Sequence, residues 1–156
     1  MTIAYFGAGC FWGVEAFLER LDGVIATRVG YTGGQVANPT YEQVKAGKTG
    51  HVETTKVEFD PQIINYETLI DQFFECHDPT QRNRQGEDVG SQYRSAIFYT
   101  NEAQQKIAEQ KIKEWNAKGE FSNPIVTEVI GLTAFYEAEE YHQKYFQKNG
   151  SVSCGK

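Results

Sequence analysis

The stretch FGAGCFWGVEAF, residues 6–17, decides the fold because two kinds of periodicity meet in it. It continues the short apolar run TIAYFGAG, which is typical of a buried strand that ends in a glycine turn. From Phe11 onward the apolar residues follow helical spacing: Phe11, Val14, Leu18 and Leu21. The pattern predicts a strand, a turn and a helix that ends near Gly23, with Cys10 at the start of the helix.

The rest of the chain predicts four further strands and two further helices. The strands are expected at residues 24–31, 51–60, 95–100 and 124–132. Asn65 is the expected N-cap of the second helix, Asn101 and Gln104 resemble a capping box for the third, and Gly119 follows it as the C′ residue. A last short helix or loop is expected at 137–150. The predicted fold class is α+β, a two-layer α/β sandwich with a mixed or antiparallel sheet and a ferredoxin-like core.

Two polar segments, 32–50 and 78–94, are long for structureless loops in a compact domain. We expect the first of them to be functional or partly ordered by its own contacts.

The composition narrows the class of protein. A chain of 156 residues indicates a single domain, 1–156, and we expect a mobile tail from about residue 147. A net charge of −6 without a basic block argues against nucleic acid and anionic membrane surfaces as partners. The absence of a long apolar run or a signal-peptide pattern predicts a cytoplasmic protein, in which structural disulfides are rare. Three cysteines are too few for a four-cysteine zinc site.

The position of Cys10 fits two interpretations equally well, a nucleophile or a core residue. A thiol at a helix N-terminus faces unpaired backbone N–H groups, which favour the nucleophilic thiolate. The neighbouring glycines, Gly7, Gly9 and Gly13, leave room for a substrate. The alternative is a small buried core thiol, which is common for cysteines outside disulfides.

Phe11 and Trp12 follow the thiol directly and could simply be core aromatics. They lie about 100° apart around a helix, so one face cannot easily bury both. At least one ring is therefore expected beside Cys10, as an apolar wall that suits a small apolar substrate group.

The other two cysteines differ in context. Cys154 lies in the glycine- and serine-rich tail KNGSVSCGK, where burial in a core does not explain it. A thiol on a mobile tail can close a disulfide with a distant oxidised cysteine, whereas the alternative is an incidental surface cysteine. Cys76 lies beside the apolar face of the second helix and is predicted to be structural.

The polar candidates are weaker on their own. His51 and Glu53 share one side of a strand, and periodicity alone favours an exposed Glu53. Tyr41, Asp88 and Tyr93 lie in the two long loops, a placement that is compatible with binding but not specific for it.

Three segments in this order, GAGCFWGVE, NPTYEQVKAGKTGHVE and HDPTQRNRQGEDVGSQYRS, resemble the class A peptide methionine sulfoxide reductases. The resemblance covers the chain from residue 3 to about 145. It implies reduction of the S epimer of methionine sulfoxide, free or in a protein, by an α+β two-layer sandwich. It also implies that no metal or organic cofactor is needed, and that thioredoxin is the reductant. We expect a monomer.

The resemblance assigns roles to individual positions. Cys10 matches the nucleophile that attacks the sulfoxide sulfur, and Phe11 and Trp12 match the walls around the substrate methyl group. After the attack Cys10 becomes a sulfenic acid, which a second thiol converts to a disulfide. Some members carry two tail cysteines, but only Cys154 is present here, so the resemblance implies a Cys10–Cys154 disulfide open to thioredoxin.

The same comparison explains the polar candidates. Glu53 matches the carboxyl that protonates the sulfoxide oxygen, Tyr41 and Tyr93 match the tyrosines that share this oxygen, and Asp88 matches a polar residue of the pocket. A carboxyl in an aromatic, poorly hydrated pocket is expected to be protonated near neutral pH and to act as a general acid.

Two other classes of function compete with this one. A cysteine hydrolase would pair Cys10 with His51 or His77, and a non-catalytic peptide-binding module would use Phe11 and Trp12 as anchors. Counting thiols after addition of methionine sulfoxide separates the reductase from the other two, because the reductase loses two per turnover and a hydrolase or a binding module loses none.

Overall fold

A computed structural model describes residues 2–145 of the chain. The strands within this range are β1 Thr2–Ala8, β2 Val24–Thr32, β3 Val52–Phe59, β4 Arg84–Gln85, β5 Asp88–Val89, β6 Ser95–Tyr99, β7 Glu128–Gly131 and β8 Tyr136–Glu137. The α-helices are α1 Phe11–Leu18, α2 Tyr41–Lys45, α3 Tyr66–Glu75 and α4 Glu102–Lys118. Within residues 2–145 no helix is both long enough and apolar enough to span a bilayer.

Six strands form one sheet in the order β7-β6-β1-β3-β2-β8, while β4 and β5 form a separate hairpin. Neighbouring strands of the main sheet are antiparallel except for the parallel pair β6 and β7. Its four central strands, with α1 and α3 as their connections, have the ferredoxin-like β-α-β-β-α-β arrangement. The predicted α+β fold with a mixed sheet is confirmed.

The three longer helices pack on one face of this sheet. Phe6 of β1 is fully buried there in one cluster with Leu18 of α1, Phe73 of α3 and Ala108 of α4. The opposite face carries a smaller cluster around Phe98, covered by loop residues. Both faces of the central strands are therefore shielded from water, which matters for the polar groups on β3.

The caps were largely predictable. Asn65 accepts a hydrogen bond from the Thr68 N–H at 2.8 Å, and Gly119 ends α4 with a φ of 70°. The capping box at Asn101 is only half formed. Asn101 accepts from the Gln104 N–H, but the Gln104 side chain accepts from the N–H of Thr100, one residue before the cap.

Two expectations about element lengths were wrong, and a short strand of the main sheet was not predicted. The first helix ends at Leu18 instead of near Gly23, because the Leu21 N–H turns back to the Leu18 carbonyl at 3.1 Å. The last long strand covers only Glu128–Gly131, since the Val126 N–H bonds to the loop carbonyl of Pro79 instead of a strand. The short strand β8 was not predicted, because two residues carry too little periodicity to recognise.

Both long loops contain short elements of their own, which the sequence did not predict. The first contains α2, whose capping box joins Thr40 and Gln43. The second contains the hairpin of β4 and β5, followed by a 3₁₀ turn at Ser91–Tyr93.

Candidate active site

Cys10 lies at the junction of β1 and α1, where it is the N-cap residue and half-buried. Its side chain makes no capping hydrogen bond, so the thiol does not serve as the cap of α1. Gly9 turns the chain into this position with a φ of 97°. A Cβ at Gly9 would lie 2.9 Å from Cβ of Gln85, which shows how closely the second long loop approaches the thiol-bearing turn.

The carboxyl of Glu53 lies beside this turn. Glu53 is 2% exposed, and its Oε1 accepts a hydrogen bond from the Phe11 N–H at 3.1 Å. Phe11 directly follows Cys10, so the Glu53 carboxyl is bonded to the residue next to the thiol. The exposed Glu53 that periodicity favours was wrong, because α1 covers this face of β3.

Phe11 and Trp12 divide as the angle around the helix predicts. Phe11 is 1% exposed and packs near Tyr31, with 5.7 Å between ring centroids. Trp12 remains half-buried and stacks on Tyr145, with 3.9 Å between centroids and 10° between planes. Phe11 thus belongs to the buried interior, whereas Trp12 keeps a partly exposed ring two residues after Cys10, and its role as a wall stays a prediction.

Tyr41 and Tyr93 are both half-buried and both interact electrostatically with Glu53 and Cys10. Burial, followed by the charge of Glu53, raises the pKa of Tyr41 well above its ordinary value. Burial, followed by Glu53 and Asp88, raises the pKa of Tyr93 to about 12. Both phenols therefore remain protonated donors at neutral pH.

Asp88 occupies a different position from the other predicted site residues. It lies on β5 and is exposed, whereas Glu53 and Phe11 are buried. Its carboxylate nevertheless acts on the Tyr93 phenol. The structure thus brings Asp88 to the rim, and its role in substrate binding stays a prediction.

Sequence reasoning missed a segment that we call the strap, residues 136–145. The Trp12 Nε1–H donates to Nδ1 of His142 at 2.9 Å, and Tyr145 stacks on the same indole. The amide of Gln143 bonds both the N–H and the carbonyl of Val29, so it takes the place of a strand partner at the edge of the sheet. Helical spacing did not reveal these roles because the strap is mostly irregular.

The remaining cysteines and histidines are less suited to catalysis. Cys76 is 6% exposed within the core cluster of α3, in agreement with a structural role, whereas Cys154 lies outside the described residues. Both ring nitrogens of His51 bond loop backbone atoms, at 3.0 and 2.6 Å. Those of His77 bond the Phe73 carbonyl and the Ser95 hydroxyl, each at 2.7 Å. Neither histidine is presented to Cys10 as the base that a hydrolase requires.

A metal site would need several ligating side chains close together in the part of the chain that the structure describes. Residues 2–145 contain no group of three or more His, Cys, Asp or Glu side chains arranged to hold a metal ion.

Comparison with known proteins agrees with this geometry. The sequence profile of the family described as peptide methionine sulfoxide reductase matches residues 2–155. The peptide methionine sulfoxide reductase MsrA of Methanosarcina acetivorans is 53% identical over 147 residues, which cover 94% of this chain and 78% of the relative.

Solved structures give the same result. The reduced form of Mxr1 from Saccharomyces cerevisiae superimposes with a TM-score of 0.92 at 34% identity, covering 99% of this chain and 88% of that one. Mxr1 in complex with Trx2 superimposes with a TM-score of 0.66 at 27% identity, covering 92% and 84%. Sequence profile, curated relatives and fold agree over nearly the full length, and the chain belongs to the peptide methionine sulfoxide reductase family.

Proposed function

We propose that this protein reduces methionine S-sulfoxide, free or within a protein, to methionine. The observation that carries the proposal is the pairing of the Cys10 turn with a buried carboxyl, through the hydrogen bond from the Phe11 N–H to Glu53. Family membership supports the substrate, and the half-buried Trp12 next to the thiol supports a seat for the methyl group.

The first step is attack by the Cys10 thiolate on the sulfoxide sulfur. The sulfur–oxygen bond breaks, the oxygen is transferred to Cys10, and methionine leaves as the reduced product. Cys10 is thereby oxidised to a sulfenic acid. Cys10 lies at the N-terminus of α1, where the positive end of the helix dipole favours the thiolate over the neutral thiol.

Glu53 is the proposed acid of this step. Its carboxyl is 2% exposed and bonded to the residue after Cys10, and in this proposal it passes a proton to the sulfoxide oxygen as the sulfur is attacked. Tyr41 and Tyr93 carry phenols that stay protonated and face the same carboxyl. They are proposed to donate hydrogen bonds to the same oxygen.

The second step regenerates the enzyme. The Cys154 thiol attacks the sulfenic acid, water leaves and a Cys10–Cys154 disulfide forms. A dithiol of thioredoxin then reduces this disulfide by exchange, with two electrons passing from thioredoxin to the enzyme. The structure of Mxr1 in complex with Trx2 supports thioredoxin as the reductant, and the burial of Cys76 supports Cys154 over it as the second thiol.

Thiol counting tests the proposal directly. Reduced wild-type protein mixed with methionine S-sulfoxide, without another reductant, should release one methionine and lose two thiols. Cys10→Ser should release none. Cys154→Ser should release one methionine and then stall with thioredoxin.

The alternatives give results that differ from those expected of the reductase. A hydrolase or a binding module would lose no thiols. Normal thioredoxin-dependent turnover by Cys154→Ser would retain the reductase assignment and overturn the Cys10–Cys154 disulfide. A Cys76→Ser enzyme is the matched control and should turn over like the wild type.

A single domain, a monomer, a cytoplasmic location and the absence of nucleic acid or membrane partners remain predictions. Size-exclusion chromatography with light scattering would test the monomer.

A further inference from the structure

Glu139 of the strap is a carboxylate that the proposed mechanism does not use, although it connects two residues around the site. Its Oε1 accepts a hydrogen bond from the hydroxyl of Tyr31 at 3.0 Å. Its Oε2 accepts one from the backbone N–H of Tyr41 at 2.9 Å. A single half-buried side chain therefore ties α2 to the sheet.

One end of this connection is rigid. Tyr31 is 0% exposed, lies opposite Glu53 in the pairing of β2 with β3, and packs against Phe11. Its hydroxyl consequently holds the Glu139 carboxylate at a fixed place relative to the proposed acid. Burial acts to raise the pKa of the Glu139 carboxyl, but the hydrogen bonds from the backbone N–H groups of Tyr41 and Glu139 and from the Tyr31 hydroxyl outweigh it and lower that pKa, so the carboxyl is ionised at neutral pH.

The other end of this connection is α2, which needs a contact outside itself to be stable. Tyr41 is the first residue of α2, a helix of five residues that is too short to be stable alone. The N–H of a first helical residue has no acceptor within its own helix. Glu139 supplies that acceptor, and the direction of the Tyr41 backbone fixes where its ring begins.

The position of the Tyr41 ring matters for the site. Its centroid lies 6.5 Å from that of Phe11 and 6.3 Å from that of Trp12, and its phenol interacts with Glu53 and Cys10. A displacement of about 1 Å at a reacting group is enough to cost up to a hundredfold in rate.

We propose that Glu139 is a positioning residue, which holds Tyr41 in the geometry that binds the sulfoxide oxygen by bonding its backbone N–H and the Tyr31 hydroxyl. The inference rests on the proposed function. It assigns Glu139 no contact with the substrate, so its effect must pass through Tyr41.

The test is single-turnover release of methionine from methionine S-sulfoxide by reduced enzyme, with substrate concentration varied to separate affinity from rate. Glu139→Ala removes both acceptors and should slow release at saturating substrate by about tenfold or more. Glu139→Gln keeps an acceptor for the Tyr41 N–H and a donor for the Tyr31 oxygen, so it should remain within about threefold of the wild type. Glu140→Ala, an exposed carboxylate in the same strap, is the matched control and should be unchanged.

Tyr31→Phe provides a second route if Glu139→Ala folds poorly, because it removes one hydroxyl and retains the ring. It should slow release by about fivefold, beyond the range expected for Glu139→Gln, with substrate affinity less affected than rate, and wild-type release by Tyr31→Phe would overturn the inference. Release by Glu139→Ala at the wild-type rate would overturn the inference, and so would a Gln variant as slow as the Ala variant. If wild-type protein itself releases no methionine, the proposed function fails instead, so the two failures are distinguishable.

Discussion

Replacing Glu15 with alanine should lower the stability of the protein and also loosen the packing around the Trp12 ring. Glu15 belongs to the opening stretch of the sequence and is 1% exposed. Its Oε1 accepts from the backbone N–H of Lys144 at 2.8 Å, and its Oε2 accepts from the hydroxyl of Thr27 at 2.8 Å. The carboxylate thus joins α1, β2 and the strap.

The magnitude follows from the donors that the substitution leaves behind. A buried donor without a partner costs about 1–3 kcal/mol, and Glu15→Ala leaves two. The ion pair with Lys144 Nζ, at 3.6 Å, adds little because the lysine side chain is 34% exposed and screened by water. We therefore expect the free energy of unfolding to fall by about 3 kcal/mol. Glu15→Gln retains a hydrogen-bonding side chain and should lose about 1 kcal/mol.

Urea denaturation followed by circular dichroism measures this change. With a slope of about 2 kcal/mol per molar urea, the midpoint for Glu15→Ala should fall by roughly 1.5 M. Glu102→Ala is the matched control, because it breaks an exposed ion pair with Lys106 and should stay within about 0.5 kcal/mol of the wild type.

The same substitution has a functional consequence. Lys144 lies between His142 and Tyr145, which hold the indole of Trp12. Releasing it should raise the KM for methionine sulfoxide more than it lowers kcat. A Glu15→Ala protein with wild-type stability and an unchanged KM would refute the claim that this carboxylate fastens the strap.

Three further outcomes are expected. Gly9→Ala should reduce both the melting temperature and methionine release, because the new side chain meets a φ of 97° and a Cβ only 2.9 Å from Gln85. Gly119→Ala is the control: with a φ of 70° and nothing within 4 Å of its Cβ, it should cost about 1 kcal/mol of backbone strain and leave activity unchanged. Asp88→Asn should lower the pKa of Tyr93 below about 12, because it removes a nearby negative charge. The titration is followed as tyrosinate absorbance, and the part due to Tyr93 is the part that Tyr93→Phe removes. An unchanged titration would show that Asp88 does not act on the Tyr93 phenol. Since the pKa of Tyr93 is raised in the folded state, its contribution to stability should be intact below about pH 10 and lost between about 10 and 12, as urea titrations at each pH would show.

Much of the fold followed from local patterns. The change of periodicity at Cys10 located the junction of β1 and α1, and Asn65 and Gly119 marked helix ends, because caps depend on residues within one turn. Length was harder to predict. The helix stops at Leu18, although Leu21 continues its apolar stripe, since a turn competes with the helix for the same backbone groups.

The site residues also differ in how far local patterns could predict them. The angle between Phe11 and Trp12 correctly indicated that one ring is buried and the other only half-buried, because helix geometry alone sets that angle. Glu53 could not be placed by periodicity. Whether a strand residue is buried depends on what covers the sheet, and α1 covers it here.

By itself, the sequence determined the order of elements, the cysteine at a helix N-terminus and the resemblance carried by three motifs. Only the tertiary structure decided that Glu15, Glu139 and His142 belong to the surroundings of the site. Their partners are 12 to 130 residues away along the chain, as for Glu15 with Thr27 and Trp12 with His142. No local pattern specifies such contacts, because they form only when the strap closes over α1 and the edge of the sheet.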